Sequence, residues 1–123
     1  MNGIDIANNI IFGNGDPGII ASYCSGSNVM IRNNLFLYNS GQDGNLPWYM
    51  NPNNTSSNLT WTASGNITNS DPSFINNTSN WHLQKCSPAI DNGLSLGTVT
   101  NDYDATLRPI PFGGSYDIGA YER

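Results

Sequence analysis

Two aspartates near the end of the chain are separated by one residue, in the stretch Asn101-Asp102-Tyr103-Asp104. Carboxylates at this spacing in a turn can share a hard cation such as Ca²⁺, which prefers oxygen ligands. Ca²⁺ takes six or more oxygens, however, and only Asn101 and backbone carbonyls lie close by in the sequence. The pattern is compatible with a calcium site formed by Asp102 and Asp104. We favour the alternative, in which one aspartate caps the turn and pairs with Arg108.

Acid–base chemistry on a polysaccharide has only weak candidates in this sequence. A lyase needs a cation to neutralise a uronate carboxylate and a base to remove the adjacent proton. Arg32 and Lys85 are the candidate catalytic residues for that reaction, with His82 beside them. A hydrolase would need two carboxylates roughly 5 to 10 Å apart, and Asp5 and Asp43 qualify only by elimination. An isolated surface arginine is usually just solvated, so catalysis by this set is disfavoured.

Aromatic side chains give a better functional signal. Trp48 and Tyr49 lie in a stretch rich in Asn, Pro, Gly and Ser, and Phe36 and Tyr38 occupy positions predicted to point outward. Sugar rings stack on aromatic faces, while Asn and Gln amides satisfy their hydroxyls. These four residues therefore form the predicted carbohydrate-binding site. Trp48 as a lid over the flank of the fold is an equally compatible interpretation.

The elements that position these residues follow from an internal repeat. Residues 4–14 align with residues 29–39 at a constant offset of 25, with apolar residues on apolar residues and three asparagines on asparagines. A fixed period in the range of roughly 20 to 50 residues is typical of architectures that stack one unit on the next. Residues 4–39 are therefore predicted to form two stacked units.

The pattern inside each unit predicts strands. Val29 and Ile31, and then Leu35 and Leu37, alternate with other residues, as on a strand with one face inward. The Asn pair between these runs suits a corner, because asparagine tolerates left-handed backbone angles. The predicted fold is an all-β, right-handed single-stranded parallel β-helix of about three coils, in which equivalent asparagines form a ladder. An antiparallel β-sandwich with evenly spaced strands is the alternative.

The predicted domain organisation has two parts. Residues 1–70 form the coils, with an inserted loop at 42–57 and a degenerate third coil in which Leu59 matches Val29 and Ile67 matches Leu35. Residues 71–123 form the last coil and the end cap that closes the lower end. Within that part, Ser87-Pro88 followed by Gly93 predicts a one-turn helix. Trp61 and Trp81 are predicted to be core and end-cap residues.

Composition limits the function classes. The chain has 123 residues, a net charge of −5 and four basic residues, which makes nucleic acid an unsuitable partner. No apolar run is long enough for a transmembrane helix, so membrane insertion is not expected. The two cysteines, Cys24 and Cys86, have a spacing that neither demands nor excludes a disulfide. Apart from the weak calcium hypothesis, no cofactor is expected.

The second half of the chain resembles a known family. The blocks DPSF (71–74), WHLQ (81–84), SPAIDNG (87–93), NDYDATLRP (101–109) and DIGAYE (117–122) occur in a characteristic order. Together they look like the C-terminal region of secreted bacterial right-handed β-helix proteins, the choice-of-anchor Q domain group. The NDYD-like block of that group usually continues with Gly before Arg-Pro, whereas Ala105-Thr106-Leu107 intervenes here. The resemblance implies an extracellular or cell-surface location beside pectate-lyase-like enzymes, but no agreed reaction.

The functional prediction follows from the resemblance and the aromatic residues. We expect the C-terminal part of an extracellular β-helix protein, contacting a polysaccharide or cell-surface glycan without catalysis of its own. The alternatives are the terminal part of a polysaccharide lyase or glycoside hydrolase, and a surface adhesin or stalk segment. Because the first coil begins at the initiator Met without a cap, preceding coils or a second copy are expected at its open end.

Overall fold

The structure is a computed structural model that describes residues 2–21, 26–39, 47–50 and 59–123. These segments are all-β, with ten strands and no helix. The strands are β1 (Asn2–Ala7), β2 (Ile10–Phe12), β3 (Ile19–Ala21), β4 (Gly26–Arg32), β5 (Leu35–Leu37), β6 (Trp48–Met50), β7 (Leu59–Ser64), β8 (Ile67–Thr68), β9 (Phe74–Asn76) and β10 (Asn80–Leu83).

The first eight strands form three small parallel sheets. The strand orders are β1-β4-β7, β2-β5-β8 and β3-β6. Each passage of the chain is here called a coil: the first two coils give one strand to every sheet, and the third gives β7 and β8 to the first two sheets. The predicted parallel pairing is confirmed, and the antiparallel sandwich is wrong for these strands. Among the ten described strands, β9 and β10 in the C-terminal part are the pair that runs antiparallel.

The strand register confirms the offset of 25 and locates the insertions. Val29 lies opposite Ile4 and Leu35 opposite Ile10, both 25 positions apart. Trp48 lies opposite Ile19, so the offset has become 29, and Trp61 lies opposite Val29 at an offset of 32. The prediction that Leu59 matches Val29 is therefore wrong, because a register irregularity places Leu59 opposite Gly26. The match of Ile67 with Leu35 is confirmed.

The predicted loop at 42–57 contains a strand. Residues 48–50 form β6 and pair with β3, which supplies a third sheet that the interpretation of 42–57 as one long loop missed. The Asn, Pro and Gly residues around this short strand concealed it, because turn residues outnumber the strand residues in that window. The remaining residues of the predicted loop, except Pro47, lie outside the described part of the chain.

Left-handed backbone angles recur at the two corners next to the second sheet. Asn8, Asn33 and Gly65 have φ of 57°, 49° and 63° at the corner between the first and second sheets. Gly13, Tyr38 and Asn69 have φ of 73°, 53° and 59° at the corner that follows the second sheet. Glycine and asparagine are the residue types that this conformation favours. Tyr38 is the exception among the six.

The expected asparagine ladder is present. Asn9 Nδ2 donates to Asn34 Oδ1 over 2.9 Å, and Asn34 Nδ2 donates to Asn66 Oδ1 over 3.0 Å. The backbone amides of Asn9 and Asn34 donate to the same two oxygens, each over 3.0 Å. A second pair, Asn14 and Asn39, is joined in the same way over 2.9 Å. The ladder fixes the register of neighbouring coils at each corner.

Side chains of the second sheet point opposite to the predicted directions. Phe36, predicted to face outward, is fully buried, and its ring lies 5.6 Å from that of Trp48 in the third sheet. Leu35 was predicted to face the interior that the coils enclose, but it packs against Leu83 and Ile118 of the C-terminal part. The left-handed corner residue reverses the alternation, so the pattern of one strand does not continue into the next.

The C-terminal part covers a flank of the coils, a contact that the end-cap prediction did not include. Its apolar residues Leu83, Ala89 and Ile118 cluster with Leu35, and the half-buried Ile10 and Ile67 pack against them, so all three strands of the second sheet contribute. The predicted one-turn helix at 87–93 is a turn in which Ser87 Oγ accepts from the amide of Ala89 over 3.1 Å. None of the described segments contains a helix long and apolar enough to cross a membrane.

Candidate functional site

Four aromatic rings from different elements form one continuous row on the covered flank. The ring centroids of Tyr38 and Phe12 lie 5.7 Å apart, those of Phe12 and Phe74 6.0 Å, and those of Phe74 and Trp81 5.1 Å. All three contacts are edge-to-face, the arrangement that the charge distribution of aromatic rings favours. We call these four residues the aromatic row.

The ends of the aromatic row are exposed, and its middle is half-buried. The residue exposures of Tyr38 and Trp81 are 63% and 43%, whereas Phe12 and Phe74 are partly covered. β2 and the corner after β5 position Phe12 and Tyr38, while β9 and β10 position Phe74 and Trp81. The two central rings thus support two accessible aromatic faces.

A groove with polar walls lies beside Tyr38, and we call it the Tyr38 groove. It has a volume of about 690 Å³, and the rings of Tyr38, Phe12 and Phe74 line it. Polar residues of the C-terminal part line it as well: Asp71, Ser73, Asn76, Asn77 and Gln84. Aromatic faces next to amide and hydroxyl groups are the lining that a sugar requires.

Several polar groups of the Tyr38 groove keep hydrogen-bonding capacity. Gln84 Nε2 donates to the carbonyl of Phe74 over 2.8 Å, which fixes the side-chain amide and leaves Gln84 Oε1 available as an acceptor. Asn76 Oδ1 accepts from the amide of Thr78 over 2.9 Å and from its hydroxyl over 2.7 Å, which leaves Asn76 Nδ2 available as a donor. Within the described segments neither remaining atom has a protein partner. The groove thus offers an acceptor and a donor, and a sugar hydroxyl acts as both.

A second groove, the Trp81 groove, lies at the other end of the aromatic row. Its volume is about 360 Å³, and it is lined by Trp81, Phe74 and Tyr121 together with Asn8 and Asn9. Tyr121 is supported from behind by His82, whose ring centroid lies 4.0 Å away. His82 in turn contacts Asp104 Oδ2 through Nε2 over 2.7 Å. Phe74 belongs to both grooves, so the two form neighbouring parts of one surface.

The structure brings one of the four predicted carbohydrate-binding residues to this surface. Tyr38 lines the groove, but the prediction that Phe36 is accessible is wrong, because its side chain is fully buried. The ring of Trp48 lies between those of Phe36 and Trp61, which matches the lid interpretation. The side chain of Tyr49 lies outside the described part of the chain. Trp61, predicted to be a core residue, is 39% exposed.

Among the described candidate catalytic residues, Arg32 and Asp5 contact each other, and no hydrogen bond or ion pair joins Arg32 to Lys85 or His82. Arg32 donates to Asp5 through both Nε and Nη2, so its positive charge is paired with the carboxylate of Asp5. This hydrogen bond lowers the pKa of Asp5 and raises that of Arg32. Lys85 is exposed in the turn after β10. Asp43 lies outside the described residues.

The two candidate calcium ligands serve different structural partners. Asp102 Oδ1 accepts from the amides of Asp104 and Thr106 over 2.9 and 2.8 Å, and its Oδ2 accepts from the amide of Glu122 over 3.0 Å. Burial raises the pKa of Asp102, but these three hydrogen bonds and the charge of Arg108 outweigh it and lower the pKa overall. Asp104 contacts His82 instead, so each of the two carboxylates has its own partners within the protein.

The turn-capping interpretation of Asp102 is therefore correct, but the expected pairing with Arg108 is not. Arg108 Nε donates to Glu122 Oε1 over 2.6 Å in a nearly buried ion pair. Its Nη2 donates to the carbonyls of Asp117 and Gly119. Glu122 Oε1 also accepts from the amide of Asp117 over 3.0 Å. Arg108 and Glu122, from the last two sequence blocks, thus hold the backbone of residues 117–119 in place.

Asp117 is the buried acid of this network. Its Oδ1 accepts from the amide of Asp91 and its Oδ2 from that of Arg123, each over 2.8 Å. Burial raises the pKa of Asp117 to about 6. Repulsion from Glu122 and Asp91 adds to this increase, whereas the two hydrogen bonds oppose it. Because its oxygens are used within the fold, its role is structural.

Sequence reasoning missed three of the four residues in the aromatic row. Phe12 was available from the repeat, because it lies opposite Leu37 in the register of 25. Phe74 and Trp81 belong to the blocks that carry the family resemblance, and Trp81 was interpreted as an end-cap residue. Their proximity to Tyr38 depends on how the C-terminal part folds back on the second sheet, for which no local sequence signal exists.

Comparisons with known proteins return no match to this chain, whether with protein-family models, with curated proteins or with solved structures.

Proposed function

We propose that this chain is the C-terminal part of an extracellular right-handed parallel β-helix protein of the choice-of-anchor Q type, and that its aromatic row binds a glycan without catalysing a reaction. The stacked parallel sheets, the offset of 25 and the asparagine ladder support the β-helix. The extracellular location rests on the resemblance of the second half to secreted proteins.

The observation that carries the glycan-binding proposal is the conformation of Tyr38. Its φ of 53° lies in the region where the equivalent corners carry Gly13 and Asn69. A non-glycine residue in this region costs about 1 kcal/mol, most for bulky side chains. Tyr38 contributes little burial in return, since it is 63% exposed. An exposed ring held at a conformational cost beside a polar groove is best explained by a ligand.

A glycan panel with three variants tests the proposal. Tyr38→Asn removes the ring and supplies a residue type suited to the backbone, and Trp81→Ala shortens the other end of the row. Phe112→Ala is the matched control, because Phe112 is 97% exposed and lines neither groove. Affinity electrophoresis against plant and bacterial polysaccharides should show retention of the wild type and of Phe112→Ala, and at least a tenfold loss for the other two.

The stability of each variant separates binding from folding. Tyr38→Asn should unfold at the same or a higher urea concentration than the wild type, because it relieves the backbone strain. Retention of this variant equal to that of the wild type would exclude the aromatic row as the binding site. If the wild type itself binds none of the polysaccharides, the glycan proposal fails and the stalk interpretation gains support.

A further inference from the structure

We propose that the aromatic row selects uncharged glycans and discriminates against uronate-containing ones such as pectate or alginate. This inference rests on the proposed function, because it names the chemical class that the same surface accepts. It runs against the uronate substrates that a pectate-lyase-like fold would suggest. Its basis is the charge of the groove walls.

Among the described residues, no basic side chain lines either groove. The described residues that line the Tyr38 groove include one carboxylic acid, Asp71, and those that line the Trp81 groove include none. Asp71 Oδ1 accepts from the amide of Ser73 over 2.7 Å, which orients the carboxylate within the groove wall. A uronate bound there would approach a like charge with no cation to offset it.

The basic residues of the chain do not compensate. Arg32 and Arg108 are paired with Asp5 and Glu122. Arg123 donates to the backbone carbonyl of Leu83 and Lys85 follows Gln84, but neither lines a groove. The net charge of −5 adds long-range repulsion of a polyanion. A glycan with hydroxyls alone meets none of these penalties and can use the amides of Asn76, Asn77 and Gln84.

Oligosaccharides that differ only in charge test the inference. Isothermal titration of the purified chain would compare homogalacturonan oligomers with free carboxylates and the same oligomers fully methyl-esterified, beside neutral gluco-, xylo- and mannooligosaccharides. We expect a neutral ligand to bind at least tenfold more tightly than the free-acid oligomer at low salt. The difference should shrink at high salt, where the repulsion is screened.

Asp71→Asn provides the matched variant. The amide can keep an oxygen for the amide of Ser73 while the charge is lost. This variant should bind free-acid oligomers several-fold more tightly than the wild type and neutral ones equally well. An unchanged preference in Asp71→Asn would overturn the assignment to the groove wall.

The outcomes for the wild type separate this inference from the proposed function. Free-acid oligomers that bind as tightly as neutral ones, or more tightly, would overturn the charge selectivity and leave glycan binding intact. Binding of neither class by a correctly folded chain would overturn the proposed function and this inference together.

Discussion

Asn34 Oδ1 accepts hydrogen bonds from the backbone and side-chain amides of Asn9. The backbone and side-chain amides of Asn34 in turn donate to Asn66 Oδ1. Its Nδ2 also reaches the carbonyls of Ile6 and Arg32, over 2.8 and 3.1 Å. Through these hydrogen bonds, the side chain of Asn34 connects polar groups of three successive coils. Asn34 is also fully buried. It is the central connection of the stack.

Replacing Asn34 by alanine should therefore destabilise the protein strongly. The variant leaves buried carbonyls and amides without partners, and we expect the free energy of unfolding to fall by about 3 kcal/mol. Asn9→Ala is the control, since Asn9 is exposed at the start of the ladder and should cost only about 1 kcal/mol. Urea denaturation followed by circular dichroism measures both, and equal costs would contradict the central role of Asn34.

Trp48→Ala should reduce stability and leave glycan binding unchanged. The ring of Trp48 lies 5.6 Å from that of Phe36 and 6.1 Å from that of Trp61, so it joins all three parallel sheets. Truncating a large packed ring costs about 3 kcal/mol. Affinity electrophoresis below the unfolding transition should show wild-type retention. Loss of binding with unchanged stability would instead make Trp48 a ligand contact.

Asp117 should give the stability a pH dependence between about pH 4 and 6. Its pKa is raised to about 6 in the folded protein, whereas the ordinary value is 3.8. The folded state therefore binds more protons in this window, and the free energy of unfolding decreases as the pH rises. The contribution is fully present below 3.8, is lost as the pH passes about 6, and amounts to about 3 kcal/mol.

Carbon-detected NMR titration of the carboxyl groups checks this directly. A pKa for Asp117 near or below 3.8 would refute the prediction. Asp5 and Asp102, whose pKa values are lowered, act in the opposite sense, since their stabilisation is lost only as the pH falls below 3.8. In Asp117→Asn, the decrease in stability between about pH 4 and 6 should disappear, although the variant is less stable throughout.

Asp102 is predicted to act as a turn cap without a metal ion. Asp102→Ala removes the acceptor of three backbone amides and should lower the free energy of unfolding by about 3 kcal/mol. Because all these bonds are made within the protein, the melting temperature of the wild type should be the same in Ca²⁺ and in EDTA. An increase with Ca²⁺ that disappears in Asp104→Ala would restore the calcium hypothesis.

Local pattern was sufficient to predict the parallel pairing and the ladder. Residues 4–14 and 29–39 carry the same apolar spacing and the same asparagines, and both features act between neighbouring coils at a fixed offset. The third sheet was hidden because β6 has three residues surrounded by turn formers. Short strands held mainly by pairing leave little trace in a single sequence.

The candidate site was less predictable than the fold. The outward direction of Tyr38 was correct, but that of Phe36 was not, because the left-handed corners at Asn33 and Tyr38 change the phase of the side chains. Phe74 and Trp81 reach the surface only through the packing of the C-terminal part on Leu35. Contacts between residues so far apart in the chain depend on the whole fold, not on local propensity.

The asparagine ladder also has a direction. Both links between carboxamides run in the same direction, from Asn9 to Asn34 and from Asn34 to Asn66, so the carboxamide dipoles of these three residues align head to tail. Aligned hydrogen bonds polarise one another, which strengthens the column beyond the sum of its links. A coil inserted in the reverse orientation would present donor to donor. The column therefore gives one polarity to the three coils that it joins.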